Sequence, residues 1–125
     1  MAGVSIQNLT RHRTASRAVF SKIADEVLPG WDISLAFVGA TRARALNKKL
    51  RGKNYVPNVL SYAVGNKSAE IIICPAVATK QAPSYNLQPT TYNLLLFIHA
   101  VLHIKGWAHS DKMDKCERRL LERYE

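Results

Sequence analysis

The stretch HAVLHIKGWAH, His99 to His109, decides how this chain is read. It holds three of the four histidines, spaced H-x-x-x-H-x-x-x-x-x-H. On a helix, residues four apart share a face, so His99 and His103 present adjacent imidazoles. His109 cannot join them on an unbroken helix, because ten residues at the helical rise would carry its Cα roughly 15 Å from that of His99. Gly106 resolves the geometry, since glycine takes the left-handed conformation that ends a helix and turns the chain back. Read singly, each histidine is an ordinary residue of a partly buried stripe. Three of them around a glycine read as metal ligands, with nitrogens expected at roughly 2.0–2.1 Å from the ion. Three neutral nitrogens leave a tetrahedral ion one open position for water or substrate, as in a catalytic zinc site.

The spacing is that of the metzincin frame H-E-x-x-H-x-x-G-x-x-H, with one difference. Ala100 follows the first histidine, where a metalloprotease has the glutamate that activates water. Peptide hydrolysis without that general base is much slower, so a protease is disfavoured although the metal cradle is kept.

Outward from this motif, the chain predicts alternating strands and helices. Thr90 or Thr91 opens the helix that carries His99 and His103 to about Lys105, and Ser110 caps a last helix with Met113, Cys116, Leu120 and Tyr124 on its inner stripe. Toward the N-terminus, Val4–Leu9 reads as a strand. A helix over Ser16–Leu28 follows, capped by Thr14 or Ser16, with Phe20, Ile23, Ala24, Val27 and Leu28 at helical spacing, and Pro29-Gly30 stops it. Trp31, Ile33, Leu35 and Phe37 alternate with smaller or polar residues, as in a strand with one face inward. Thr41 caps a second helix through Leu50, Arg51–Asn58 is a loop, and Val59–Val64 and Glu70–Cys74 form a hairpin around Gly65–Ser68. Between Pro75 and Pro89 the pattern is ambiguous, and a short helix near Val77–Gln81 is one reading of it. Strands and helices mix without strict βαβ alternation, so the expected class is α+β with a mixed, mostly four-stranded sheet.

The 125 residues predict one domain, 1–125, and 47% hydrophobic with 22% charged residues exclude a disordered chain. Eighteen Lys+Arg against nine Asp+Glu leave a formal charge of +9. That excess favours a polyanionic partner, nucleic acid before an anionic membrane surface, although charge also serves solubility alone. Lys48, Lys49, Arg51 and Lys53, with Arg42 and Arg44, form one basic stretch suited to an RNA backbone; the alternative is a solvated helix face followed by a loop. Two distant cysteines, Cys74 and Cys116, exclude a disulfide scaffold or zinc ribbon, and neither is expected to bind metal. The greasiest stretch, Leu94–Ile104, is too short to span a bilayer, and the N-terminus lacks a signal-peptide core. A soluble cytoplasmic protein, or an organellar matrix one if eukaryotic, is expected.

At three blocks the sequence resembles the YbeY-type metal-dependent endoribonucleases, the rRNA maturation factors of bacteria and organelles. HAVLHIKGWAH is similar to the family's H-G-x-L-H-L-x-G-Y-D-H. LNKKLRGKNYVPNVLSY, Leu46 to Tyr62, is similar to L-N-x-x-Y-R-G-K-D-x-P-T-D-V-L-S-F, and AEIIICPAVA is similar to G-D-I-x-I-C-P-x-x-A. The blocks stand in the family's order and cover most of the chain.

The resemblance implies a zincin-like α+β fold, one Zn2+ or another divalent ion on His99, His103 and His109, and an endoribonuclease of rRNA maturation and ribosome quality control. It places Arg51 near the metal as the catalytic or RNA-binding arginine. Lys53 of the Arg-Gly-Lys loop and Ser61 of the strand beside the cleft complete the substrate-binding set, and the implied partners are rRNA and the small ribosomal subunit. An arginine there would neutralise charge developing on phosphoryl oxygens. The sequence departs from the pattern at Leu50, Pro57, Asn58, Ala100 and Ala108. Asn58 and Ala108 replace aspartates that could orient ligands or act as bases, which keeps open a second reading: a non-catalytic RNA-binding assembly factor with a structural metal.

Overall fold

The computed structural model describes residues 3–125. Chain order is β1 (Gly3–Asn8), α1 (Arg17–Val27), β2 (Asp32–Phe37), α2 (Ala40–Arg51), β3 (Val59–Gly65), β4 (Ser68–Ile73), α3 (Pro75–Gln81), a 3-10 turn (Ala82–Tyr85), α4 (Pro89–Lys105) and α5 (Asp111–Tyr124). The four strands form one mixed sheet in the order β1-β2-β4-β3. β1 and β4 both run parallel to β2, whereas β3 pairs antiparallel with β4 and forms an edge. The class is therefore the α+β arrangement expected from the sequence.

Alternation along β2 sets the two faces. Ile33, Leu35 and Phe37 are buried, and with Ile71 and Ile73 of β4 they join the cluster that includes α1, α4 and α5. Phe20 of α1 is the keystone of that cluster: its ring meets Phe97 of α4 edge-on at 5.0 Å and Phe37 of β2 at 6.0 Å. Leu60 and Ile72 point to the opposite face, where Val38, Ala43 and Cys74 close a smaller cluster beneath α2. Cys74 is thus a packed apolar residue, and Cys116 lies half-buried against the main core.

Three helix starts differ from the sequence expectation. α2 is capped by Gly39, not Thr41, because Val38 still bonds to Ile73 through its backbone N–H and the chain can turn only after it. Pro75 does more than end β4: it occupies the first turn of α3, where its missing N–H costs nothing. Pro89 likewise opens α4 ahead of Thr90 and Thr91, with Gln88 as cap. Ser16 and Ser110 do cap α1 and α5, accepting from the N–H groups of Val19 and Met113.

α4 is apolar almost all round and packs against β3, β4, α1, α3 and α5. A helix of that composition is a central one. Its uncovered strip runs past His99 and His103, so the fold leaves open the one face that carries polar chemistry. None of the described helices is long and apolar enough to cross a membrane.

Candidate active site

The rings of His99 and His103, one helical turn apart on α4, meet edge-on with centroids 4.7 Å apart. Gly106 ends the helix at φ 109°, its N–H bonded to the carbonyls of His103 and Leu102, and Trp107 N–H returns to Leu102 at 3.1 Å. That turn brings the His109 ring to 6.0 Å from the His99 ring.

A fourth residue, which sequence reasoning missed, joins them. Glu117 of α5 contacts Nδ1 of His99, and its side chain is only 13% exposed. An ionised carboxylate can only accept, so the contact suits the Nδ1–H tautomer of a neutral imidazole, in which Nε2 keeps its lone pair. The signal was present: Glu117 falls four residues after Met113 and three before Leu120, at the edge of the inner stripe of α5. At His103, desolvation by burial lowers the imidazole pKa, the neighbouring His99 and His109 lower it further, and Glu117 opposes them. His103 is thereby held toward the neutral form that can donate to a metal.

As they stand, no three His, Cys, Asp or Glu side chains among the described residues converge closely enough to hold an ion. The donor chemistry nevertheless fits one. Two imidazoles on a tetrahedral zinc have ring centres about 5 Å apart, given Zn–N bonds of about 2.0–2.1 Å. The observed separations, 4.7 Å for His99–His103 and 6.0 Å for His99–His109, straddle that value, and His109 is exposed.

Beside the histidines lies a cleft of about 560 Å³ between edge strand β3 and α4, lined by Arg51, Asn58, Ser61, Tyr62, His99 and His103 among others. Ser61 reaches it because it pairs with Ile71 and therefore shares the sheet face that looks onto α4. Arg51 is the last residue of α2, where Gly52 at φ 68° caps the helix and turns the chain. Its guanidinium Nη1 donates to the Tyr55 hydroxyl at 3.3 Å. The loop is tied from below by fully buried Asn47, whose Nδ2 donates to the Tyr55 carbonyl at 3.0 Å. Lys53 is exposed on that loop and does not line the cleft, nor does His109, which approaches His99 from outside it.

Asn58 stands where the resemblance has an aspartate, and its side chain is occupied. Oδ1 accepts from the Val59 N–H at 2.7 Å, while Nδ2 donates to Gln81 Oε1 at 3.0 Å. No cleft-lining residue is acidic. The cleft therefore presents a cationic guanidinium, a hydroxyl and paired imidazoles to an anionic ligand.

A mixed four-stranded sheet backed by a buried helix that offers paired histidines to an edge-strand cleft defines a zincin-like α+β protein. The family model described as Endoribonuclease YbeY matches residues 4–125, and the chain belongs to the YbeY family. "Endoribonuclease YbeY" of Neisseria meningitidis serogroup C is 37% identical over 89 residues, covering 62% of this chain and 52% of that protein. The Neisseria gonorrhoeae protein of the same name is 32% identical over 116 residues, covering 84% of this chain and 67% of its own length. This chain thus spans about half the length of the meningococcal relatives it matches. A Thermotoga maritima protein solved in solution shares the fold with a TM-score of 0.65 at 20% identity, covering 94% of this chain and 87% of that one.

Proposed function

We propose that this protein is a zinc-dependent endoribonuclease acting in rRNA maturation and ribosome quality control. The observation that carries this reading is that Arg51 and Ser61, distant in sequence from the histidines, line the same cleft as His99 and His103. His99, His103 and His109 would hold the ion. When bound, it would supply Lewis acidity, polarising a phosphoryl oxygen and lowering the pKa of a water toward neutrality.

The chain's own residues have separable tasks in this proposal. Glu117 keeps His99 in the Nδ1–H tautomer and fixes its ring. Arg51 grips two oxygens of the scissile phosphodiester with its planar fork and neutralises charge that develops there. Ser61, half-buried on β3, donates a hydrogen bond to a neighbouring phosphate or ribose oxygen. Arg42, Arg44, Lys48, Lys49 and Lys53 attract and hold the flanking backbone from α2 and its following loop. The proposed partners are rRNA and the small ribosomal subunit, and the proposed location is the cytoplasm or an organellar matrix.

The test is metal analysis of the purified protein combined with cleavage of single-stranded RNA. One divalent ion per chain and internal cleavage abolished by His103→Ala are expected; intact RNA after incubation with metal-loaded protein would refute the enzyme. The second reading, a non-catalytic RNA-binding assembly factor, is favoured by Asn58, whose engaged amide offers no base in the cleft.

A further inference from the structure

We propose that Tyr85 is a stacking platform for an unpaired base of the RNA strand that enters the cleft, an inference that rests on the RNA reading above. Tyr85 ends the 3-10 turn and is 56% exposed. Its other face is not free to collapse: it stacks on Tyr92 with centroids 5.0 Å apart and planes 28° from parallel. Tyr92 is a rigid backing, 3% exposed on the first turns of α4.

The platform is wired to the cleft. Tyr92 Oη donates to Gln81 Oε1 at 3.0 Å, and the same oxygen accepts from Nδ2 of cleft-lining Asn58 at 3.0 Å. The turn is itself braced, since Ser84 Oγ donates to the Gln81 carbonyl at 2.7 Å and left-handed Asn86 closes it with N–H bonds to Pro83 and from Leu87 to Ala82. The exposed ring therefore stands two hydrogen bonds and one ring stack from the cleft, on a fixed support.

Charge favours nucleic acid as the occupant. No Asp or Glu occurs between Glu70 and Asp111, and exposed Lys80 lies on the same short segment as the platform. Single-stranded RNA is recognised by stacking splayed bases on aromatic side chains beside a cationic backbone track. Bound to Gln81, cleft-lining Asn58 anchors this platform. It serves positioning rather than chemistry.

The test is equilibrium binding of a cleavage-resistant 2′-O-methyl oligo(A), and of the same sugar-phosphate strand without bases, to the metal-loaded protein. The parent should prefer the base-bearing strand. Tyr85→Ala should weaken that strand about five- to 150-fold, from the ~1–3 kcal/mol worth of one base stack, and leave the abasic strand nearly unchanged. Tyr85→Phe should bind like the parent. Tyr85→Leu, which keeps apolar cover over Tyr92, should show the same loss as Ala and guards against a folding artefact. Equal losses on both strands, or no loss on either, would overturn the platform while leaving the RNA reading intact. A parent protein that binds neither strand would overturn both.

Discussion

The carboxylate of Glu117, on the last helix, meets Nδ1 of His99, on the central helix, eighteen residues earlier in the chain. The contact joins α5 to the open strip of α4 and supplies the orienting carboxylate that Asn58 and Ala108 do not. Partners of this kind typically control metal affinity by ~10–100-fold. Glu117→Ala should therefore weaken zinc binding within that range in competition with a chromophoric chelator. Glu117→Gln, which can still accept from Nδ1 but lacks the charge, should fall between. Unchanged affinity in both variants would mean that the contact serves only helix packing.

Arg51 separates the enzyme from the binder. Loss of one oriented donor at a developing anion typically costs ~10²–10³ in rate. Arg51→Ala should thus reduce turnover far more than RNA affinity. Arg51→Lys should keep most binding and lose most turnover, because a point charge cannot replace the planar fork. Parallel losses in rate and affinity would favour the assembly-factor reading.

Gly106 holds a left-handed turn with no neighbouring atom within 4 Å of where a Cβ would stand. Gly106→Ala should consequently be sterically tolerated but conformationally strained, at a cost of roughly 1–2 kcal/mol in unfolding free energy. Because the same turn delivers His109 to His99, zinc affinity should fall with stability. Chemical denaturation and chelator competition on one preparation read the two effects separately.

Burial raises the Tyr62 phenol to about 12, with the hydrogen bond and charge of its cross-strand partner Glu70 adding to it. Burial similarly takes Tyr92 to about 12, with Tyr85 adding to it. A folded pKa above the unfolded value of about 10 stabilises the protonated state. Its contribution to stability is complete below pH ~10 and disappears as the pH rises toward the folded value. Phenolate absorbance should show both residues titrating near 12, and Tyr62→Phe and Tyr92→Phe should each remove one late step. Titration of either residue near pH 10 in the folded protein would contradict its burial.

RNA affinity should fall steeply with salt, since cations on α2 and its loop release counterions from phosphates. For single strands the slope of log K against log salt is about −0.7 per phosphate contact. Neutralising Lys48 and Lys49 together should flatten the line by roughly twice that amount. A flat line in the parent would assign the net charge to another purpose.

The sequence by itself determined most of what is local or periodic. Ile33, Leu35 and Phe37 alternate and are buried; His99, His103 and Gly106 lie at helical spacing and produce the helix, its end and the bend beyond it. The hairpin around Asn66 and Lys67 is likewise a short-range event. Helix starts were less legible, because at Gly39 and Val38 the boundary depends on a backbone bond to Ile73, far along the chain. Glu117 beside His99, Arg51 and Ser61 lining one cleft with His103, and Asn58 bound to Gln81 were decided only in the tertiary structure. Periodicity tells a residue which face it occupies. Which residue it meets across that face is set by how the elements pack, and no local pattern encodes that packing.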